Sequence, residues 1–202
     1  MNKPSDITSR NHKTSENVDY TSRPIVLEVS EYMNEVVDQL DHLDYYFEDY
    51  YDSSELIELL QEDLPDSSSD DLKEAFIEDV IFVCEHFYDL IQEQPIRIQI
   101  EMIDTDKCRL FHVDYLKRRL LCTYHGLGTE WLDNSNVNRQ WLGKGDNTKI
   151  IKNPALIRQT TPFDIIILKG DQFQRGFRGA VHRSPPVEHL KAKRVILKID
   201  EL

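Results

Sequence analysis

The sequence predicts an α+β protein in which an N-terminal helical region precedes an antiparallel β sandwich or barrel. Between Leu27 and Glu93, apolar residues recur at intervals of three and four, the pattern of amphipathic helices. After Pro95 the interval becomes two, and glycine-containing turns separate short apolar runs. Short strands with no long helix between them favour an antiparallel arrangement.

The first 94 residues divide into a tail and three helices. Residues 1–24 are rich in Ser, Thr, Asn and Lys and lack an apolar period, so we expect a disordered tail. A second helix is predicted over 54–63, ended by Pro65, and a third from the capping run 67–71 to about Glu93. The first helix is predicted from an apolar stripe formed by Met33, Val36, Val37, Leu40, Leu43, Phe47 and Tyr50.

The remaining residues, 95–202, are predicted to be strands. Ile96, Ile98 and Ile100 alternate with polar residues, which is the signature of a half-buried strand. Further strands are predicted over 116–124, 148–151, 164–168, 178–182 and 194–200. The chain is therefore predicted to contain a tail (1–24), an acidic helical region (25–94) and a β domain (95–202).

Charge is distributed unevenly along the chain. Residues 25–94 contain 22 acidic groups and one basic group, whereas residues 95–202 contain 19 basic and 12 acidic groups. The basic part is therefore expected to prefer small anions, although mutual attraction of the two parts explains the asymmetry equally well. The net charge of −13 and the lack of aromatic residues among the basic ones disfavour nucleic acid as a partner.

The sequence also predicts the compartment. No apolar run approaches the roughly 20 residues that span a bilayer, so no membrane association is expected. The first residues are polar and do not resemble a signal peptide. Three cysteines with no metal-binding spacing indicate a reducing environment, and we expect a cytoplasmic protein.

A metal site is predicted from three residues. His112 and Asp114 alternate in an extended segment, so their side chains share one face, and His182 supplies a third ligand from a later strand. Two histidines and one carboxylate are typical of non-haem iron(II) sites with open coordination positions. The alternative for His182 is an ordinary buried or capping histidine. Cys108, four residues before His112, is either a ligand for a softer metal or a packing residue.

Four segments, 108–114, 120–131, 168–171 and 181–186, closely resemble the bacterial domain-of-unknown-function family 1826, over roughly residues 96–200. That name implies no established activity. The same residues are distantly similar to the cupins and the 2-oxoglutarate- and iron(II)-dependent oxygenases. This resemblance implies a double-stranded β-helix (a jelly-roll, cupin-like barrel). It also implies that His112, Asp114 and His182 bind iron(II) or another divalent metal, with their ligand atoms about 3–4 Å apart.

The resemblance further implies a cofactor site. Arg194 would bind the far carboxylate of 2-oxoglutarate, although Arg183, Arg118 and Arg119 are rival anion ligands. Tyr124 would hydrogen-bond a bound carboxylate, or else pack in the core. The leading hypothesis is an iron(II)/2-oxoglutarate-dependent oxygenase-like protein that takes a 2-oxo acid or other small anion. The alternative is a non-catalytic cupin-like module that binds a metal or a small anion. The substrate and the oligomeric state do not follow from the sequence.

Overall fold

A computed structural model describes residues 12–202, which form a mixed α and β protein with two antiparallel sheets. This confirms the predicted α+β class with antiparallel sheets. The strands are β1 (His12–Thr14), β2 (Val18–Thr21), β3 (Leu43–Phe47), β4 (Ile96–Ile103), β5 (Arg118–His125), β6 (Glu130–Leu132), β7 (Arg158–Gln159), β8 (Ile165–Lys169), β9 (Val181–Arg183) and β10 (Arg194–Glu201). The helices are α1 (Leu27–Val36), α2 (Ser53–Asp63), α3 (Asp70–Leu90) and α4 (Asn147–Ile150).

The strand order of the larger sheet is β1-β2-β8-β5-β10-β4-β3, and that of the smaller sheet is β7-β6-β9. An antiparallel bridge between His112 and His182 adds the segment around His112 to the free side of β9. The paired strands are antiparallel throughout the described residues. Strands β8, β5, β10 and β4 therefore form the centre of the larger sheet, with β3 and β1–β2 as extensions.

Both faces of the larger sheet are buried, and the side chains of each strand divide between them. On one face, Leu120 and Leu197 pack against α1, α2 and α3 in the principal core. On the opposite face, Leu121 and Ile196 pack with Trp131 of the smaller sheet. Successive residues of β5 and β10 thus belong to different cores, so a shift of one residue moves a side chain from the helices to the space between the sheets.

The long helix α3 anchors the helical layer. Its inward stripe includes Phe76, Val80 and Phe87, which have no solvent-exposed surface. Truncating such a phenylalanine to alanine costs about 3–5 kcal/mol in the free energy of unfolding. Helix α2 begins where Asp52 accepts hydrogen bonds from the amides of Ser54 and Glu55. The predicted second and third helices are confirmed to within a few residues at each end.

The predicted first helix is wrong beyond Val36. Helix α1 ends there, and the second half of the predicted stripe forms β3, which pairs with β4 in the register Leu43↔Ile100 and Phe47↔Ile96. Leu43 and Phe47 are four residues apart, as in a helix, but Tyr45 between them is also buried. An interval of two along three buried side chains fits a strand, and pairing with β4 satisfies the backbone groups.

The predicted disordered tail is also wrong for the residues that the structure describes. Residues 1–11 lie outside them, but β1 and β2 extend the larger sheet, with Val18 opposite Leu168 and Thr21 opposite Ile165. The Tyr20 hydroxyl donates to the buried carboxylate of Asp164, 2.8 Å away. The polar composition of this segment led to the wrong prediction because a short peripheral strand is held mainly by main-chain hydrogen bonds and needs few apolar residues.

The strands predicted at 96–101, 116–124, 164–168 and 194–200 are confirmed as β4, β5, β8 and β10, and β9 occupies the end of the predicted 178–182 strand. The strand predicted over 148–151 is wrong. Asp146 accepts a hydrogen bond from the Thr148 amide and begins the short helix α4 instead. The division of the chain at residues 24 and 94 stays a prediction, and strands from all three segments share the larger sheet. In the described part of the chain, no helix is long and apolar enough to cross a membrane.

Candidate metal centre

The two candidate histidine ligands are held together by the main chain. The His112 amide donates to the His182 carbonyl and the His182 amide donates to the His112 carbonyl, each over 3.0 Å. The two rings lie 4.5 Å apart between centroids. A pair bridged by both hydrogen bonds has a fixed separation, so the imidazoles are positioned before any ligand arrives.

Asp114 completes the group. Its Oδ1 lies 3.6 Å from Nε2 of His112, and its Oδ2 lies 3.3 Å from Nε2 of His182. One ligand atom from each of the three residues lies within 4.8 Å of the other two, and these residues form the potential metal-binding group among the described residues. The three predicted ligands are therefore brought together, as alternation on an extended segment requires for His112 and Asp114.

The donor set fits a divalent cation. Nδ1 of His112 lies 2.8 Å from the Leu110 carbonyl and Nδ1 of His182 lies 3.3 Å from the Ala180 carbonyl, so we assign the proton to Nδ1 in both rings. Each Nε2 then presents a lone pair toward the Asp114 carboxylate. Oδ2 of Asp114 is buried and accepts no hydrogen bond of acceptable geometry, although the Arg119 guanidinium lies 2.8 Å from it. Arg119 offsets part of the negative charge of Asp114, but the two imidazole lone pairs converge on the carboxylate with no donor between them, and a bound divalent cation would satisfy all three groups.

Burial and neighbouring charges tune the three groups. Burial lowers the pKa of His182 to about 4, which keeps this ring neutral, as a metal ligand must be. The contact with Asp114 raises the pKa of His112, although burial opposes this change. Burial alone would raise the pKa of Asp114, but His112, His182 and Arg119 hold it well below its usual range. Asp114 is therefore a carboxylate at neutral pH.

A cavity of about 470 Å³ opens beside both histidines, within the range of about 300–1,000 Å³ that is usual for small-molecule sites. Apolar side chains of Leu121 and Ile196 form part of its wall. Its charged lining is mostly basic and comprises Lys107, Arg119, Arg183, Arg194 and Lys198, with one acid, Glu101. This balance favours an anionic ligand.

Arg194 is the most unusual residue of this cavity. It is 1% exposed, yet no carboxylate of the described residues forms an ion pair with it. Its guanidinium donates to hydroxyls of Ser184 (2.9 Å), Thr123 (3.1 Å) and Thr129 (2.5 Å), and its Nε is buried without a partner. Burial lowers the pKa of Arg194 to about 10, so the side chain remains a cation at neutral pH.

The prediction of Tyr124 as a cofactor ligand is corrected by the structure. Its side chain lies on the helix-facing side of β5, where it packs edge-on against Phe76 and Phe163. Its hydroxyl donates to the carboxylate of Asp79 on α3 over 2.8 Å. The preceding residue, Thr123, has the orientation expected of Tyr124 and contacts Arg194. The prediction was displaced by one residue, and successive side chains of a strand point to opposite faces.

The rival anion ligands already have partners. Arg118 lies on the helix-facing side of β5 and donates to Glu201 over 2.9 Å. Arg183 lines the cavity but donates to Glu130 over 2.5 Å. Arg119 also lines the cavity and contacts Asp114 and Asp200. Because each of them forms an ion pair and Arg194 feels only the more distant charge of Glu101, which is itself paired with Lys198, Arg194 is the cation best suited to a bound carboxylate.

The polar residues around Arg194 were missed by sequence reasoning. Thr129 is 1% exposed and follows a turn whose Gly126 has a φ of +82°. A side chain at Gly126 would collide with the Lys193 carbonyl, so glycine allows this turn to approach the start of β10 and brings Thr129 to Arg194. Cys108 is exposed and lines the cavity, but it lies outside the three-residue ligand group.

A sequence profile described as "Protein of unknown function (DUF1826)" matches residues 6–200. No curated protein sequence is significantly similar to the chain. Among solved structures, the dioxygenase for auxin oxidation (DAO) from rice aligns with a TM-score of 0.52 at 13% identity, covering 92% of this chain and 73% of the rice protein. At that identity the likeness shows a shared fold.

Two further structures align with lower scores. JOX2, in complex with 2OG, Fe and JA, aligns with a TM-score of 0.40 at 12% identity, covering 79% of this chain and 48% of JOX2. A full-length protein from Neurospora crassa, in complex with alpha-KG, aligns with a TM-score of 0.37 at 13% identity, covering 79% of this chain and 53% of the Neurospora protein. The chain thus spans about half the length of these two proteins.

Proposed function

The chain belongs to the protein family of unknown function DUF1826, and we propose from the geometry of its candidate metal centre that it is an iron(II)- and 2-oxoglutarate-dependent oxygenase-like protein. One juxtaposition carries the proposal. Three side chains with the donor set of a non-haem iron(II) site adjoin a cavity that contains a buried arginine without a counter-ion. A metal site alone, or a buried arginine alone, would favour no particular chemistry.

We assign the fold as a double-stranded β-helix. From β4 to β10 the chain passes back and forth between the two sheets. Strands β4, β5, β8 and β10 belong to the larger sheet, whereas β6, β7, β9 and the segment bridged at His112 belong to the smaller one. Eight segments that cross between two antiparallel sheets in this way are the plan of a jelly roll. The shared fold with the rice dioxygenase supports the assignment.

His112, Asp114 and His182 would hold the metal, which leaves coordination positions open for a cosubstrate. When bound, iron(II) supplies the dioxygen chemistry in which a 2-oxo acid loses carbon dioxide and an unidentified substrate is oxidised. The chain's own contribution is to position the ligands. The Nδ1 hydrogen bonds to the Leu110 and Ala180 carbonyls fix both rings with Nε2 directed toward Asp114.

Arg194 would bind the carboxylate of 2-oxoglutarate that does not reach the metal. The hydroxyls of Ser184, Thr123 and Thr129 orient the guanidinium, and none of them neutralises its charge. A buried cation without a counter-ion is costly, whereas a carboxylate in front of it forms a charge-assisted, bidentate pair. The apolar wall of Leu121 and Ile196 excludes water and strengthens that pair.

Turnover in the absence of a substrate tests this proposal. We expect purified protein, loaded with iron(II) and supplied with air and 2-oxoglutarate, to form succinate slowly. The His182→Ala variant should form it at less than a tenth of the wild-type rate. Protein that binds iron and 2-oxoglutarate but forms no succinate would support the alternative, a non-catalytic cupin-like binding module.

A further inference from the structure

Five charged side chains of alternating sign form a row across the larger sheet. Asp44 on β3 accepts from Arg97 on β4 over 2.8 and 2.5 Å. Asp200 on β10 is paired in register with Arg97 on one side and with Arg119 of β5 on the other. Arg119 in turn lies 2.8 Å from Oδ2 of Asp114. The row therefore connects the outermost strand β3 to a candidate metal ligand.

Arg119 is held rigidly within this row. Its Nε and Nη2 donate to the two carboxylate oxygens of Asp200 over 2.6 and 2.7 Å. This side-on fork uses one edge of the guanidinium and leaves Nη1 at 2.8 Å from Oδ2 of Asp114, as an ion pair. The side chain is 18% exposed, so it has little room to rotate.

The two oxygens of Asp114 consequently differ. Oδ1 faces Nε2 of His112, whereas Oδ2 lies 2.8 Å from Arg119 and 3.3 Å from His182. A carboxylate that binds a metal through both oxygens occupies two coordination positions, and one that binds through a single oxygen occupies one. The oxygenase chemistry proposed above needs open positions for the 2-oxo acid and for dioxygen.

We propose that Arg119 is a positioning residue that retains Oδ2 of Asp114, so that Asp114 offers the metal Oδ1 alone. This inference rests on the proposed metal site and deepens it. Asp200 acts one step further away, because its fork fixes the position of the guanidinium beside Asp114. The row of charged side chains thus limits the number of coordination positions that the protein would occupy on the metal.

Because Arg119 is charged, its replacement should change the metal affinity in a different direction from the loss of a residue that only supports Asp114. Replacing Arg119 by glutamine removes a positive charge from beside the metal and leaves Asp200 negative, so electrostatics should tighten metal binding. The freed Oδ2 would then also reach the metal. Loss of a residue that merely supports Asp114 would instead weaken binding.

Cobalt(II), whose visible absorption reports its coordination, is a suitable probe. We expect Arg119→Gln, purified without a histidine tag, to bind cobalt(II) at least as tightly as wild type and to show a changed cobalt spectrum. Arg118→Gln is the matched control, because Arg118 lies on the opposite face of the same strand and pairs with Glu201. It should keep the wild-type spectrum and affinity.

A wild-type cobalt spectrum in Arg119→Gln, or binding weakened tenfold or more, would overturn the inference. If Arg119→Gln does not fold, Asp200→Asn decides, since it keeps the arginine but removes the charge and one of the two acceptor oxygens that hold it. The cobalt spectrum of that variant should change in the same direction, and an unchanged spectrum would overturn the inference. A wild-type protein that binds no cobalt(II) or iron(II) would remove the proposed function itself, whereas failure of the variants alone leaves that function standing.

Discussion

His112 and His182 are 70 residues apart in the chain, yet each donates its amide to the carbonyl of the other over 3.0 Å. This two-way bridge adds the segment around His112 to the smaller sheet and sets the separation of the imidazoles. The two histidines of the candidate metal centre are therefore positioned by main-chain hydrogen bonds, and Asp114 follows His112 by two residues. Sites on paired strands keep their geometry without the ligand, so single ligands can be replaced with limited damage to the fold.

The first prediction concerns His182. The His182→Ala variant should lose iron(II) binding, since two ligands hold a divalent metal far more weakly than three. Its bridge to His112 is formed by backbone atoms and survives the substitution. The thermal midpoint should therefore fall by only a few degrees, as about 1–2 kcal/mol implies for a chain of this size. His42→Ala is the control, because His42 lines the cavity outside the triad. Undiminished metal content in His182→Ala would exclude the assigned site.

The second prediction concerns Arg194 as the cosubstrate anchor. Arg194→Ala should weaken the binding of 2-oxoglutarate to metal-loaded protein by at least tenfold, about 1.4 kcal/mol, without changing the metal content. Calorimetry measures the affinity, and elemental analysis measures the metal. Arg183→Ala should have a smaller effect, since Arg183 lines the same cavity but is compensated by Glu130. Equal losses in the two variants would show that general positive charge, and not Arg194, attracts the anion.

The third prediction separates a ligand-binding arginine from a structural one. Without ligand, Arg194→Met should keep its free energy of unfolding within about 1 kcal/mol of wild type, because it removes an uncompensated buried charge. With 2-oxoglutarate at 100 times its dissociation constant, wild type should gain about 2.7 kcal/mol and the variant much less. Chemical denaturation with and without 2-oxoglutarate gives both values. A loss of several kcal/mol in the free variant would show that Arg194 is part of the fold.

The fourth prediction tests the corrected role of Tyr124. Tyr124→Phe removes a hydroxyl that donates to Asp79 and leaves the packing against Phe76 and Phe163. We expect a destabilisation of about 1–3 kcal/mol, since the Asp79 carboxylate loses a buried donor. The affinity for 2-oxoglutarate should be unchanged. An affinity loss similar to that of Arg194→Ala would return Tyr124 to the cofactor site.

The sequence predicted the parts of the site that depend on local geometry. His112 and Asp114 share a face because any extended segment places residues two apart on one side. Tyr124 could not be assigned in the same way, because Leu120, Leu121 and Cys122 beside it are all buried. A strand buried on both faces has no polar alternation to show which side chains face the cavity.

The errors in the fold have a related cause. Leu43 and Phe47 fit a helix by spacing and a strand by alternation with Tyr45, and only pairing with β4 decides between them. Strand β2 lies in a polar segment and owes its place to main-chain pairing with β8 and to the contact between Tyr20 and Asp164. In both cases the secondary structure is determined by pairing with a strand that is distant in the chain, and the local sequence carries no information about that partner.

Calorimetry on anaerobic, iron(II)-loaded wild-type protein, purified without a histidine tag and titrated with 2-oxoglutarate, tests the central claim most directly. The three ligand residues and the uncompensated charge of Arg194 predict one binding site per chain, with an affinity that requires the metal. Titration of metal-free protein should give much weaker binding. No heat at millimolar 2-oxoglutarate in the iron-loaded protein would contradict the oxygenase account and favour a cupin-like metal-binding module.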